Sequence, residues 1–91
     1  MKMEIMDLRL SIIYRVLKEL SERNQLLISE AIAIAGSTIF YQRYLPYLEE
    51  RGYITSEKRR EGRRTIRLIK ITNKGRRLLE LLEEIKKLDS S

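Results

Sequence analysis

The chain has 91 residues and a formal net charge of +6, from 19 lysines and arginines against 13 acidic side chains, with neither cysteine nor histidine. That length allows a single domain over residues 1–91 with a modest core, for which oligomerisation is a natural supplement. The missing cysteines exclude disulfides and thiolate metal sites, and the missing histidines remove the commonest general base and metal ligand. Neither a metal nor a cofactor is expected.

The charge is segregated. Residues 1–50 carry a net −1, residues 51–77 a net +9 and residues 78–91 a net −2. A segregated balance gives one positive face, which suits a polyanion. No apolar run approaches a membrane span and no signal-peptide pattern opens the chain, so the expectation is a soluble, cytoplasmic, nucleoid-associated protein. Asparagine and glutamine are scarce (Asn24, Asn73, Gln25, Gln42) while isoleucine, leucine, arginine and glutamate are plentiful, a bias suited to a hot environment.

In chain order, Ile5, Leu8, Ile12, Ile13, Val16, Leu17 and Leu20 recur at helical spacing and predict a first helix over residues 7–23, with Asp7 as its N-cap. Gln25 to Ile28 is a short apolar stretch, suited to an edge strand. Ser29 caps a second helix, residues 29–35, built of small side chains and ended by Gly36. Ser37 caps a third, residues 38–51, with Tyr41, Tyr44, Leu45 and Leu48 as its buried stripe and Gly52 as its stop. Two helices joined by a short glycine turn have the helix-turn-helix pattern.

Residues 53–71 then predict a hairpin, with β-rich runs at 53–55 and 65–71 flanking the polar stretch 57–64 and turning around Glu61-Gly62. In the second run Ile66 and Leu68 have one parity, Ile69 and Ile71 the other. Either a bulge shifts the pleat or one pair is partly exposed, and Ile69 with Ile71 is the pair expected in the core. Thr72 caps a last helix, residues 73–88, whose leucines form a wide apolar face. Leu78, Leu82 and Ile85 are expected to cover the first helix. Leu79, Leu81 and Leu88 are then left for a second chain, and the homodimer interface as a whole is expected to draw on Leu79, Leu81, Leu82, Ile85 and Leu88.

The fold class is therefore α+β, mainly α: a three-helix core, a β-hairpin and a C-terminal helix. This order resembles the winged-helix branch of the helix-turn-helix proteins, particularly small archaeal DNA-binding proteins and transcriptional regulators. Three stretches carry the resemblance: Ile28-Ser29-Glu30-Ala31 to Gly36-Ser37, Leu45 to Gly52-Tyr53-Ile54, and Ile71-Thr72-Asn73-Lys74-Gly75. The resemblance implies that the third helix lies in the major groove of duplex DNA and that the hairpin, the wing, lies along the backbone or minor groove.

Helical geometry turns Ile39, Arg43, Pro46 and Glu50 outward, flanked by Gln42 and Tyr47. Arginine matches guanine and glutamine matches adenine, and Ile39 suits a thymine methyl. Ser37 and Thr38 sit where a phosphate would meet free backbone N–H groups. Ser37, Thr38, Ile39, Gln42, Arg43 and Tyr47 are the expected contacts of the recognition helix. Pro46 cannot bond the carbonyl of Gln42 and predicts a kink or break near residues 42–46. In the wing, Lys58, Arg59, Arg60, Arg63 and Arg64 crowd around one turn, where packing alone has no use for them and phosphates would relieve their repulsion.

Three functions follow. A sequence-specific transcriptional regulator needs the polar tip of the third helix, whereas an architectural DNA-binding protein needs only the wing. A protein-interaction or RNA-binding winged helix would not need so basic a wing. An enzyme is not expected: the carboxylate pairs Glu49-Glu50 and Glu83-Glu84 have no catalytic partners beside them.

Overall fold

Asn24 sets the first reversal of the chain. In the computed structural model, which describes Ile5 and residues 8–90, α1 runs Leu10–Arg23 and Asn24 follows with φ 71°, its N–H donating to the Leu20 carbonyl (2.9 Å). Asparagine is one of the few side chains that tolerates this left-handed backbone. The expected stripe is buried at Ile12, Ile13, Val16, Leu17 and Leu20. The helix starts later than expected, with Arg9 at its N-cap, and Asp7 lies outside the described residues.

β1 (Gln25–Leu27) leads directly into α2 (Ile28–Ala35). Ser29 is not the cap, because the helix has already begun. Glu30 does that work, its carboxylate accepting the Leu27 N–H at 2.9 Å. Ala31 and Ala35 are buried, and Gly36 closes the helix at φ 80°.

The next element is broken. Residues 40–44 form a single π-helical turn (Phe40–Tyr44), in which the Leu45 N–H donates to the Phe40 carbonyl, five residues back. α3 (Leu45–Glu50) continues from it, with Pro46 in its first turn. The break falls where Pro46 predicts one. An α-helical ladder through residue 46 would aim the Gln42 carbonyl at a ring without an N–H, and the wider π turn moves that conflict out of the ladder. α3 ends in paired reverse bonds, Gly52 N–H to Glu49 O (3.0 Å) and Tyr53 N–H to Leu48 O (2.9 Å), with Gly52 at φ 79°.

β2 (Ile54–Glu61) and β3 (Arg64–Ile71) form a hairpin closed by a two-residue turn, Gly62-Arg63, with Gly62 at φ 60°. The strands run through the polar stretch expected to be loop, and their register is continuous from Ile54↔Ile71 to Glu61↔Arg64, without a bulge. β3 is the middle strand, pairing β1 on its other edge with Leu26 opposite Ile69. Opposed residues of an antiparallel ladder share a face. Ile54, Ile69, Ile71 and Leu26 therefore share the core face, with Ile71 only half-buried, while Leu27, Ile66 and Leu68 lie on the reverse. Both parities of β3 are accounted for: Leu68 is buried on the reverse side and Ile66 half-buried.

α4 (Asn73–Ser90) is docked by its first turn. The Thr72 N–H donates to the Tyr53 carbonyl (3.1 Å), Thr72 Oγ1 lies 2.6 Å from the Gly52 carbonyl and accepts the Gly75 N–H (3.0 Å), and Lys74 Nζ donates to the Arg51 carbonyl (2.6 Å). A Cβ on Gly75 would stand 2.1 Å from the Tyr53 carbonyl oxygen, so only glycine permits this approach. The two sequence stretches 45–54 and 71–75 are thus two halves of one clasp. Farther along, Lys86 sits over the Tyr14 ring, placing the last turns of α4 beside the first turns of α1. Leu79 and Leu82 are buried in the core and Leu78 is half-buried, whereas Leu81, Ile85 and Leu88 are exposed. This corrects the expected division of the helix. Leu79 and Leu82 are occupied within the chain, and Ile85 lies beside Leu10 and Tyr14 of α1 but stays 55% exposed.

Candidate nucleic-acid interface

The π turn decides which side chains residues 37–50 display. In an unbroken helix, Tyr41 would stack on Tyr44, Leu45 and Leu48. The i→i−5 bond inserts one extra residue into the turn, so everything before it rotates by one position. Phe40 takes the core place expected for Tyr41: Phe40 is fully buried, stacked on Tyr44 with ring centroids 6.0 Å apart, while Tyr41 is 47% exposed. The Tyr44 hydroxyl accepts the Arg9 N–H (3.0 Å), tying this turn to α1. Tyr41, Gln42 and Arg43 are then consecutive exposed residues, continued by Ile39, Thr38 and Ser37, also exposed. Ser37 Oγ accepts the Ile39 N–H (3.2 Å), a local turn bond that begins the element.

Tyr47 is not on that surface. It is buried, its ring facing Tyr53 at 6.4 Å and covered by the Arg51 guanidinium at 5.3 Å. The expectation that it flanks the outward face fails because Tyr53 and the Arg51 guanidinium cover its ring, while Pro46 and Glu50 of the same short helix stay exposed.

The five wing cations do not crowd one turn; they are distributed over two faces of an eight-pair ladder. Lys58 and Arg60 share the core-side face with Arg67, whereas Arg59 and Arg64 lie on the reverse, and Arg63 stands in the turn. Arg67 was not singled out in the sequence, although the parity of its strand places it opposite Lys58. Its guanidinium donates to Glu49 Oε1 (3.0 Å) on α3 and to Ser56 Oγ (3.3 Å). The face carrying Lys58 and Arg60 is therefore the one turned toward α3.

On the reverse face, Arg59 and Lys70 both reach Glu57 (2.7 and 3.6 Å). Among the described residues, Lys58, Arg60, Arg63, Arg64 and Arg43 make no ion pair. All five are exposed; Lys58, Arg60, Arg63 and Arg64 are arranged along the hairpin, and Arg43 stands on the π turn. Also among the described residues, no group of three or more acidic side chains is placed to hold a metal ion, and no helix is long and apolar enough to cross a membrane.

Among solved structures, the chain is similar to Sso10a-2, a DNA-binding protein from Sulfolobus solfataricus, at 25% sequence identity and a TM-score of 0.67, covering 87% of this chain and 78% of that one. The fold is a winged helix. No protein-family profile and no curated protein sequence matches the chain. Within that fold, the π turn with α3 is the third helical segment and the β2–β3 hairpin is the wing.

Proposed function

We propose that this protein binds duplex DNA, reading bases with Ile39, Gln42 and Arg43 in the major groove, meeting a phosphate at Ser37 and Thr38, and gripping further phosphates with the wing. The observation that carries this reading is the set of unpaired cations, Lys58, Arg60, Arg63 and Arg64, on a ribbon anchored to α3 through Arg67 and Glu49. Four like charges on one hairpin repel one another, and a polyanion removes that cost. The DNA-binding neighbour of the same fold supports it. Arg59 contributes less, since Glu57 already neutralises it.

A sequence-specific regulator is the reading favoured by the exposed Gln42 and Arg43, whose donor patterns match adenine and guanine edges. An architectural protein of low specificity would depend on the wing alone. The two separate by comparing affinity for a duplex selected from a random pool with affinity for an unselected one. A ratio of about 10³ or more supports a regulator, and a ratio below about 10 an architectural role. With about four phosphate contacts, log K should fall against log salt with a slope of roughly −4. Replacing Arg60 or Arg63 by alanine should flatten that slope by about 1 each. A salt-independent affinity, or no affinity for duplex, would refute the proposal.

The chain is further proposed to act as a homodimer through α4. Leu81, Ile85 and Leu88 follow one another at steps of four and three, an exposed apolar seam beside the buried Leu79 and Leu82. Two-fold symmetry would then present two recognition elements to half-sites about 34 Å apart.

A further inference from the structure

Among the described residues the large exposed apolar side chains fall in two places. Leu81, Ile85 and Leu88 are on α4, and Ile39 (38%) and Tyr41 (47%) bracket the start of the π turn. The second pair has no counterpart in a regular helix, because Tyr41 is outside only through the one-residue rotation that puts Phe40 inside. The exposed phenol of Tyr41, two residues in sequence from Ile39 and from Arg43, is amphipathic. Its hydroxyl donates and accepts, and its ring offers an apolar edge or face to a base or a thymine methyl.

We propose that Tyr41 is a specificity-determining residue of this protein, brought into the DNA groove by the π turn so that Tyr41, Gln42 and Arg43 read as three consecutive side chains. This rests on the duplex-DNA reading above. In an unbroken α-helix Tyr41 would fall on the buried stripe with Tyr44, Leu45 and Leu48, leaving Gln42 and Arg43 exposed without it. Here the buried Phe40 and Tyr44 clamp both ends of the segment to the core, and the three residues between them are all exposed. Pro46 contributes by making the α-helical alternative costly, which would otherwise return Tyr41 to the interior.

The test uses the full chain, one duplex selected from a random pool with the unaltered protein, and one unselected duplex of equal length. Tyr41→Ala should weaken the selected duplex about tenfold or more and the unselected one by less than about twofold. The salt slope should not change, because no charge is lost. In the unaltered protein, the selected duplex should shield Tyr41 from nitration by tetranitromethane. Arg43→Ala and Arg60→Ala serve as references. If both references weaken binding while Tyr41→Ala leaves the two affinities as they were, Tyr41 is a bystander and only this inference falls. A Tyr41→Ala variant that weakens both duplexes equally and melts at lower temperature would show a structural role and also overturn it. An unaltered chain that binds neither duplex removes both the inference and the reading beneath it.

Discussion

Arg67 on β3 donates to Glu49 on α3 across 3.0 Å, and this pair joins the wing to the short helix. Both side chains are about one-third exposed (33% and 30%), so solvent screens the attraction, and the pair is expected to couple by only about 0.5 kcal/mol. A double-mutant cycle on Arg67→Ala and Glu49→Ala, read by denaturant unfolding, checks it; a coupling of zero would mean that the wing is held by the strand pairing alone. The larger effect should be on DNA. Arg67→Ala frees the ribbon and should weaken duplex binding more than the loss of one peripheral charge.

The clasp at the start of α4 reverses an ordinary rule. Glycine to alanine inside a helix usually stabilises, by up to about 1 kcal/mol. At Gly75 the new methyl group would press on the Tyr53 carbonyl and on the Ile71 side chain, so Gly75→Ala should destabilise by roughly 1–3 kcal/mol. Thermal unfolding gives the sign directly. A variant as stable as the parent would show that α4 can shift away without loss.

The Glu30 carboxyl is held below its usual range, first by the Leu27 N–H it accepts and then by the Arg23 guanidinium. A lowered pKa in the folded chain means that the carboxylate stabilises the fold above the ordinary glutamate pKa, and that this contribution disappears as pH falls through the lowered value. The melting temperature of Glu30→Gln should therefore trail the parent most near neutral pH, and the gap should close on the acid side, below about pH 4. A gap independent of pH would assign the effect to shape rather than charge.

The leucines of α4 should divide into two classes. Leu82→Ala empties a core position and should cost about 2–5 kcal/mol. Leu88→Ala, at 78% exposure, should change the stability of the isolated monomer by no more than about 0.5 kcal/mol. Replacing Leu81, Ile85 and Leu88 together by glutamine should convert a micromolar dimer to a folded monomer in sedimentation. A parent that sediments as monomer removes the dimer proposal.

Much of this architecture is legible in the residues because backbone rules are local. Gly36, Gly52 and Gly62 mark the turns they were expected to mark, each with positive φ, and the stripe of α1 is buried as spaced. What the residues concealed depends on register and neighbours. The leucines of α4 overlap two faces, and only the position of α1 decides that Leu79 and Leu82 go inside. Pro46 announced a break but not its form, and a π turn moves the stripe by one residue, which exchanged Phe40 for Tyr41; Tyr53 and Arg51 cover Tyr47. The wing cations were visible as composition, but their partition between two faces needed the pairing of Lys58 with Arg67 and of Glu61 with Arg64.

Past the Lys58↔Arg67 pair, three residues of each strand and then the Gly62-Arg63 turn extend beyond the last anchor, so the turn lies four residues out, an overhang of about 13 Å at 3.3 Å per residue. Such a cantilever magnifies what happens at its root. A tilt of about 10° there carries the fingertip, with Arg63 upon it, through roughly 2 Å, comparable to the difference between touching a phosphate and missing it. Small adjustments where the ribbon leaves the body would therefore let one finger follow duplexes of differing groove width.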